Sequence, residues 1–188
     1  MELHRGSERR GRAQNVLGKM YQNGDGVPLN FLEAAKCFRK AAELGDVNGQ
    51  YNLGRMYQQG TEVKRNPSEA EKWFRKAASQ DHEKAQYILG VLYAKGLGIQ
   101  RDIKEAEKWK LKAAQCGEAR AQNYLGVKYV KGEGVERDLK VAYMWLYLAA
   151  IQGNSRARKN ITILKEKMSP EQISDAKQMI RKWKSKKA

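Results

Sequence analysis

Residues 121–153 read AQNYLGVKYVKGEGVERDLKVAYMWLYLAAIQG, and this stretch decides the fold. Shifting the chain by 36 residues superimposes it on itself with no insertion or deletion, which divides it into four copies, 13-48, 49-84, 85-120 and 121-156. The positions that recur include the glycines Gly18, Gly54, Gly90 and Gly126 and the tyrosines Tyr21, Tyr57, Tyr93 and Tyr129. Self-similarity at a fixed period of this length indicates a repeat architecture.

Each copy predicts two helices joined by a glycine-containing turn. In the first copy, Ala13, Leu17 and Met20 have helical spacing and predict a first helix, helix A, that ends at Asn23. Gly18 lies inside it, where the missing side chain lets another helix approach closely. A second helix, helix B, is expected to begin after an N-cap at Asn30, Asn66, Asp102 and Asp138.

The second copy departs from this pattern at two turn positions. Glu62 and Asp81 stand where the other copies have glycine. Because glycine supplies the positive φ that tight turns need, we expect the loops at these two positions to be locally different.

The recurring pattern A-Q-x-x-L-G-x-x-Y-x-x-G-x-G-V-x-x-D-x-x-x-A-x-x-W-x-x-x-A-A-x-x-G resembles the Sel1-like repeat, a relative of the tetratricopeptide repeat. The four copies cover 144 of the 188 residues. The tetratricopeptide repeat itself has a period of about 34 residues and lacks the longer Gly-x-Gly turn, so it fits less well. The resemblance implies an all-α fold, an α-solenoid (right-handed superhelix) of helix-turn-helix repeats.

The two ends of the array differ in character. Residues 157-188 predict a helical C-terminal cap, because Ile161, Leu164 and Met168 share a helical face and Ser169 begins a capping box before a second apolar stripe. Residues 1-12 are basic and are expected to be frayed.

The residue inventory argues against several classes of protein. No window approaches 18 consecutive apolar residues, and the start has no apolar signal-peptide region, so we expect a cytoplasmic protein without a membrane span. Two isolated cysteines, Cys37 and Cys116, and two isolated histidines, His4 and His82, form no metal or nucleophile motif. We therefore expect no enzyme activity, catalytic residue, metal or cofactor.

A binding role is the natural alternative, since stacked helix pairs create an extended face lined by successive helices A. The resemblance implies a protein-interaction adaptor or scaffold, and we expect a bacterial one. The candidate contacts lie on one stripe of helix A, at positions i, i+4 and i+7, where residues vary between copies. They are Asn15, Lys19, Gln22, Tyr51, Arg55, Gln58, Tyr87, Val91, Asn123 and Val127. Their amide and cationic groups favour a protein or peptide partner that is acidic or has a free C-terminal carboxylate, and the apolar ones suit an aliphatic side chain.

The charge supports a second hypothesis, a basic helical-repeat protein that binds nucleic acid or another polyanion. Of the net charge of +16, the cap at 157-188 carries +7. The cations that crowd the last eight residues are Arg181, Lys182, Lys184, Lys186 and Lys187. Non-specific contact with phosphates is the form this hypothesis takes, because most aromatic residues lie at scaffold positions. The sequence leaves the oligomeric state open.

Overall fold

A computed structural model describes residues 2–60 and 63–186, with side chains from residue 6 onward. The described residues form ten helices and no strand. The helices are α1 (Glu2–Asn23), α2 (Phe31–Glu43), α3 (Val47–Gln59), α4 (Pro67–Ser79), α5 (Glu83–Lys95), α6 (Ile103–Cys116), α7 (Ala119–Lys131), α8 (Leu139–Ile151), α9 (Ser155–Lys165) and α10 (Pro170–Ser185). Odd-numbered helices are helices A and even-numbered ones helices B, as an all-α helical-repeat solenoid requires.

The described residues fall into two compact units that divide within α6. The N-terminal unit extends to Lys110, and the C-terminal unit begins at Leu111.

The predicted N-caps of helix B are confirmed. The side-chain oxygens of Asn30 and Asn66 accept hydrogen bonds from the backbone N–H groups of Glu33 and Glu69, at 3.1 and 3.2 Å. Each glutamate then forms an ion pair with a lysine three residues on, as Glu33 does with Lys36 at 2.7 Å. Capping satisfies backbone donors that a helix start leaves unpaired and contributes about 1 kcal/mol for each helix.

The glycine inside helix A is where helices A and B touch, as predicted. A Cβ atom on Gly18 would lie 2.7 Å from the Phe38 ring, and one on Gly54 would lie 2.9 Å from the ring of Phe74. Both phenylalanines are fully buried. In the C-terminal unit, a Cβ on Gly126 would lie 2.6 Å from Cγ of Leu146, so the same contact recurs there.

A recurring glutamine joins each repeat to the one before it. Gln50 Nε2 donates to the carbonyl of Ala42 at 3.4 Å, and Gln86 Nε2 donates to that of Ala78 at 3.1 Å. In the C-terminal unit, Gln122 donates to Ala114 at 3.2 Å. All three glutamines are buried and satisfy a carbonyl near the end of a helix B, so this position serves the scaffold.

Two local expectations differ from what the structure shows. The segment 2–12 forms the first part of α1, where the sequence predicted fraying. Its Gly11 lies beside the C-terminal end of α2, since a Cβ there would be 3.3 Å from Cβ of the C-cap residue Leu44. Asp81 adopts a φ of +60°, in the same left-handed region as Gly45, Gly117 and Gly153. The prediction of a different loop at Asp81 was therefore wrong, because the aspartate adopts the backbone of the glycine it replaces; Glu62 lies outside the described residues.

The C-terminal helices follow the predicted pattern. Ser169 and Gln172 form a reciprocal capping box with bonds of 3.2 and 3.0 Å. Helix α10 packs against α8, where the rings of Trp145 and Trp183 meet edge to face at a centroid distance of 5.0 Å. Ile161, Leu164 and Met168 are buried, as their helical spacing predicted.

Candidate partner-binding surface

The ten candidate contact residues all lie on helices A, and we call the side of these helices that carries them, in each unit, the A-helix face. In the N-terminal unit, Lys19 and Arg55 are its most open members, and both side chains are exposed. Gln22, Gln58, Tyr87 and Val91 are half-buried. The exposed cations give this part of the face a positive character.

In the N-terminal unit, two of the predicted contact residues take part in packing within the scaffold. Asn15 is only 6% exposed, and its Oδ1 accepts a hydrogen bond of 2.8 Å from Asn52 Nδ2 on the next helix A. Tyr51 stacks on His82 with ring centroids 4.4 Å apart and also approaches Phe74 at 6.0 Å. Asn15 is therefore inaccessible to a partner, and only part of the Tyr51 ring is accessible.

A polar cavity of about 360 Å³ lies beside Tyr51 in the N-terminal unit. Lys19 and Tyr51 are the predicted contacts that line it. The other lining residues are Val47, Asn48, Asn52, Gln80, Asp81, His82, Glu83 and Lys84. Because both charge signs are present on its wall, the cavity itself has no clear preference for an anion.

His82 caps α5, a role that the sequence reasoning missed. Its Nδ1 accepts a hydrogen bond of 3.2 Å from the backbone N–H of Ala85, which requires the neutral imidazole. Burial lowers the pKa of His82, which is consistent with that state. The signal was available in the 36-residue register, where Asp46, Glu118 and Asn154 occupy the same position and cap α3, α7 and α9 in the same way.

In the C-terminal unit, Val127 lines an apolar groove of about 190 Å³ between α7 and α9. We call it the α7–α9 groove. Its lining residues are Val127, Val130, Lys131, Leu146, Asn160, Ile163, Leu164 and Lys167. Asn123 lies on the same helix, where its Oδ1 accepts a bond of 3.0 Å from Asn160 Nδ2, so it also joins neighbouring helices A.

The residues of α9 in this groove are not among the predicted contacts, because the sequence pattern of residues 157-188 predicts only a cap. The register gives a signal for one of them. Ile163 follows Val127 by 36 residues and continues the same stripe on the next helix A.

The predicted polyanion contacts lie mostly on α10. Arg181, Lys182, Lys184 and Lys186 are exposed, and Lys187 lies outside the described residues. The Lys184 ammonium also approaches the Tyr147 ring, 5.8 Å from its centroid. Together these side chains form a basic surface at the end of the C-terminal unit.

Within 2–60 and 63–186, no group of three or more His, Cys, Asp or Glu side chains is arranged to hold a metal ion. None of the described helices combines the length and the apolar character that crossing a membrane requires.

Comparison with known proteins places these features in a family. The family model described as "Sel1 repeat" matches residues 11–46, 47–82, 83–118 and 119–154, with the same period and a start two residues before each copy defined above. A comparison with curated proteins found no match. Proteins with this repeat generally mediate protein–protein interaction and are typically not catalytic.

Solved structures of bacterial proteins share the fold. A Sel1 repeat protein from Oxalobacter formigenes is 38% identical, with a TM-score of 0.71, over 82% of this chain and 61% of that one. A protective antigen of uropathogenic Escherichia coli with an SLR fold is 28% identical, with a TM-score of 0.61, over 92% of this chain and 45% of that one. A Sel1 repeat protein from Klebsiella pneumoniae, 20% identical over 82% of this chain and 77% of that one, has a TM-score of 0.51 and supports the fold alone.

This chain therefore spans less than two thirds of the first two of these relatives. The four segments that match the family model together cover residues 11–154. The internal repeat, the ten helices and the family match agree, and the chain belongs to the Sel1 repeat family.

Proposed function

We propose that this protein is a non-enzymatic, bacterial adaptor that holds a segment of a partner protein on its A-helix face, and that the segment is acidic or ends in a free carboxylate. The observation that carries the proposal is that recurring and variable positions have different surroundings. Residues that recur in every copy, such as Gly54 and Gln50, pack inside the scaffold. Residues that differ between copies, such as Lys19 and Arg55, face solvent.

The charge of the exposed positions supports an anionic partner. In the N-terminal unit the open members of the face are a lysine and an arginine, and Arg55 lies with its guanidinium 6.0 Å from the Tyr51 ring centroid. A guanidinium beside an aromatic ring has reduced freedom, so it loses less entropy when it forms a bidentate bond to a carboxylate.

Affinity capture tests the proposal directly. The full chain is immobilised, exposed to a bacterial extract at two salt concentrations, with and without nuclease, and bound proteins are identified by mass spectrometry. A protein retained after nuclease, and lost from an Arg55→Glu variant with an unchanged melting temperature, supports the adaptor. The matched control is Lys104→Glu, an exposed cation on helix B of the same unit, which should retain the partner.

A second candidate function, binding of nucleic acid or another polyanion, is favoured by the basic surface of α10. Four exposed cations between Arg181 and Lys186 provide a positive potential that attracts phosphates. Affinity for a fluorescent 20-nucleotide DNA strand, measured at several salt concentrations, tests it. An Arg181→Glu/Lys182→Glu variant should bind more weakly and with a shallower salt dependence, whereas Lys104→Glu should have little effect.

A further inference from the structure

The α7–α9 groove has an apolar floor that is open to solvent. Val127 and Val130 lie in the last turns of α7, Ile163 and Leu164 lie on α9, and Leu146 of α8 closes the bottom. Ile163 is 54% exposed, although Leu164 beside it is buried. An aliphatic side chain placed in the groove would therefore remove apolar surface on Ile163 from water, which is the main source of binding energy at such sites.

The lining of the groove differs between copies of the repeat. At the positions of Val127, Val130 and Leu146, the second copy has Arg55, Gln58 and Phe74. The equivalent wall in that copy thus has two long polar side chains and a bulky ring. Since the scaffold accommodates both sets, the small aliphatic residues are not demanded by the fold.

The rim of the groove is cationic. Lys131 and Lys167 both line it. Lys131 forms an ion pair of 3.1 Å with Glu133, and both side chains are more than half exposed. An exposed pair of this kind contributes little, so a ligand carboxylate can replace Glu133 at small cost. The unit around the groove is also basic, with 17 lysines and arginines against 7 carboxylates from residue 111 onward.

We propose that the α7–α9 groove binds a peptide segment of the partner protein through one branched aliphatic side chain flanked by carboxylates, an assignment that rests on the adaptor function above. The aliphatic side chain fills the space between Val127 and Ile163, and the carboxylates face Lys131 and Lys167. Charge complementarity selects an acidic segment. The apolar floor favours that segment over polyanions that have no aliphatic group.

Methyl NMR on the full chain tests the assignment, because each of the five apolar lining residues carries isoleucine, leucine or valine methyl groups. The probe is the peptide acetyl-Gly-Ser-Glu-Leu-Glu-Ser-Gly-amide, titrated to millimolar concentration. We expect its addition to shift the methyl signals of Val127, Val130, Leu146, Ile163 and Leu164. The methyl signals of Leu53, in the core of the N-terminal unit, should not move. No shift in the groove, or equal shifts with a peptide whose leucine is replaced by serine, would overturn the assignment.

Paired variants separate the groove from general attraction between charges. Ile163→Ser should weaken probe binding roughly tenfold, while Ile151→Ser, an equally exposed isoleucine outside the groove, should leave it unchanged. Lys167→Glu should weaken it roughly three- to tenfold, while Lys165→Glu, an exposed lysine on α9 that does not line the groove, should have a smaller effect. Glu133→Gln should tighten binding, because it removes the competing carboxylate. Equal effects within either pair would contradict the proposal.

The test distinguishes the failure of this assignment from the failure of the adaptor function. If affinity capture retains a partner equally with Ile163→Ser and with the unchanged chain, the adaptor function stands and the groove assignment is wrong. If capture retains no protein partner after nuclease, the adaptor function fails. Methyl shifts of the groove residues on peptide addition would then show that the groove binds the peptide without the adaptor role.

Discussion

The contact between Gly54 and Phe74 offers a sharp test of how helices A and B pack within a repeat. Replacing Gly54 with alanine places a Cβ 2.9 Å from two ring carbons of Phe74. Ordinary van der Waals contact begins near 3.4 Å, so α3 and α4 must separate or the ring must move. Because Phe74 is fully buried, the ring has no open space to move into.

Two effects of opposite sign set the expected magnitude. Overpacking a closed core costs about 1–3 kcal/mol. Alanine inside a helix is favoured over glycine by about 1 kcal/mol. We therefore expect Gly54→Ala to lower the free energy of unfolding by about 1 kcal/mol, with packing outweighing helix propensity.

The sign should reverse when the ring is removed. Phe74→Ala by itself should cost about 3–5 kcal/mol, because it leaves a cavity. In that background the Gly54→Ala clash is gone, so the second substitution should stabilise the protein by up to about 1 kcal/mol. Gly6→Ala, where a Cβ meets no atom within 4 Å, serves as the control and should not destabilise.

Urea unfolding followed by circular dichroism at 222 nm measures all four variants, and a double-mutant cycle gives the coupling between positions 54 and 74. A similar m-value across the set would show that unfolding of the array remains comparable. If Gly54→Ala stabilises the protein equally in both backgrounds, the ring does not restrict the approach of α3 and α4, and the explanation for the recurring glycine is wrong.

Three further predictions follow from single residues. Asp81→Gly should raise the free energy of unfolding by about 1 kcal/mol, because Asp81 has a φ of +60°; Asp81→Ala should not, and urea unfolding of the two variants compares them. Burial lowers the pKa of His82 below its ordinary value of 6.5, so its contribution to stability should be present above pH 6.5 and lost as the pH falls through the folded-state pKa. The variant His82→Asn keeps a capping side chain that does not titrate. Its melting temperature should therefore lack the decrease that His82 causes at acid pH. Burial and a hydrogen bond to Glu71 raise the pKa of Tyr93 to about 12. The contribution of Tyr93 to stability should therefore persist below pH 10 and vanish as the pH rises towards 12. Ultraviolet titration near pH 10 should find the same number of phenolates in the native protein as in Tyr93→Phe, because Tyr93 is still protonated there.

The repeat made most of the fold predictable from the sequence. A position that recurs every 36 residues is expected to make the same kind of contact in each copy, so the sequence alone predicts close helix packing at Gly18 and Gly54. The N-caps Asn30 and Asn66 were predictable for a related reason, because capping depends on a residue and the three that follow it.

The candidate site was less predictable, since it depends on side chains from different repeats. The bond between Asn15 and Asn52, which closes Asn15 to a partner, joins residues 37 positions apart and has no local pattern. The α7–α9 groove likewise needs Leu146 of a helix B and Leu164 of the following helix A. Helical spacing identifies the face on which a residue lies, whereas the depth of a groove depends on the sizes of its neighbours.

The same separation explains how one scaffold can serve different partners. Exchanging Val127 for the arginine of the second copy alters the floor of a groove but leaves the packing at Gly126 and Gln122 untouched. Gly126 packs helix A on helix B within a repeat, and Gln122 joins two repeats. Specificity can therefore change at a half-buried position at little cost in stability, while a change at Gly126 is penalised in the fold itself. The exposed Ile163 is the clearest instance. Its replacement by serine should leave the melting temperature within a few degrees of the original, because more than half of its surface already lies in water, while it weakens peptide binding roughly tenfold.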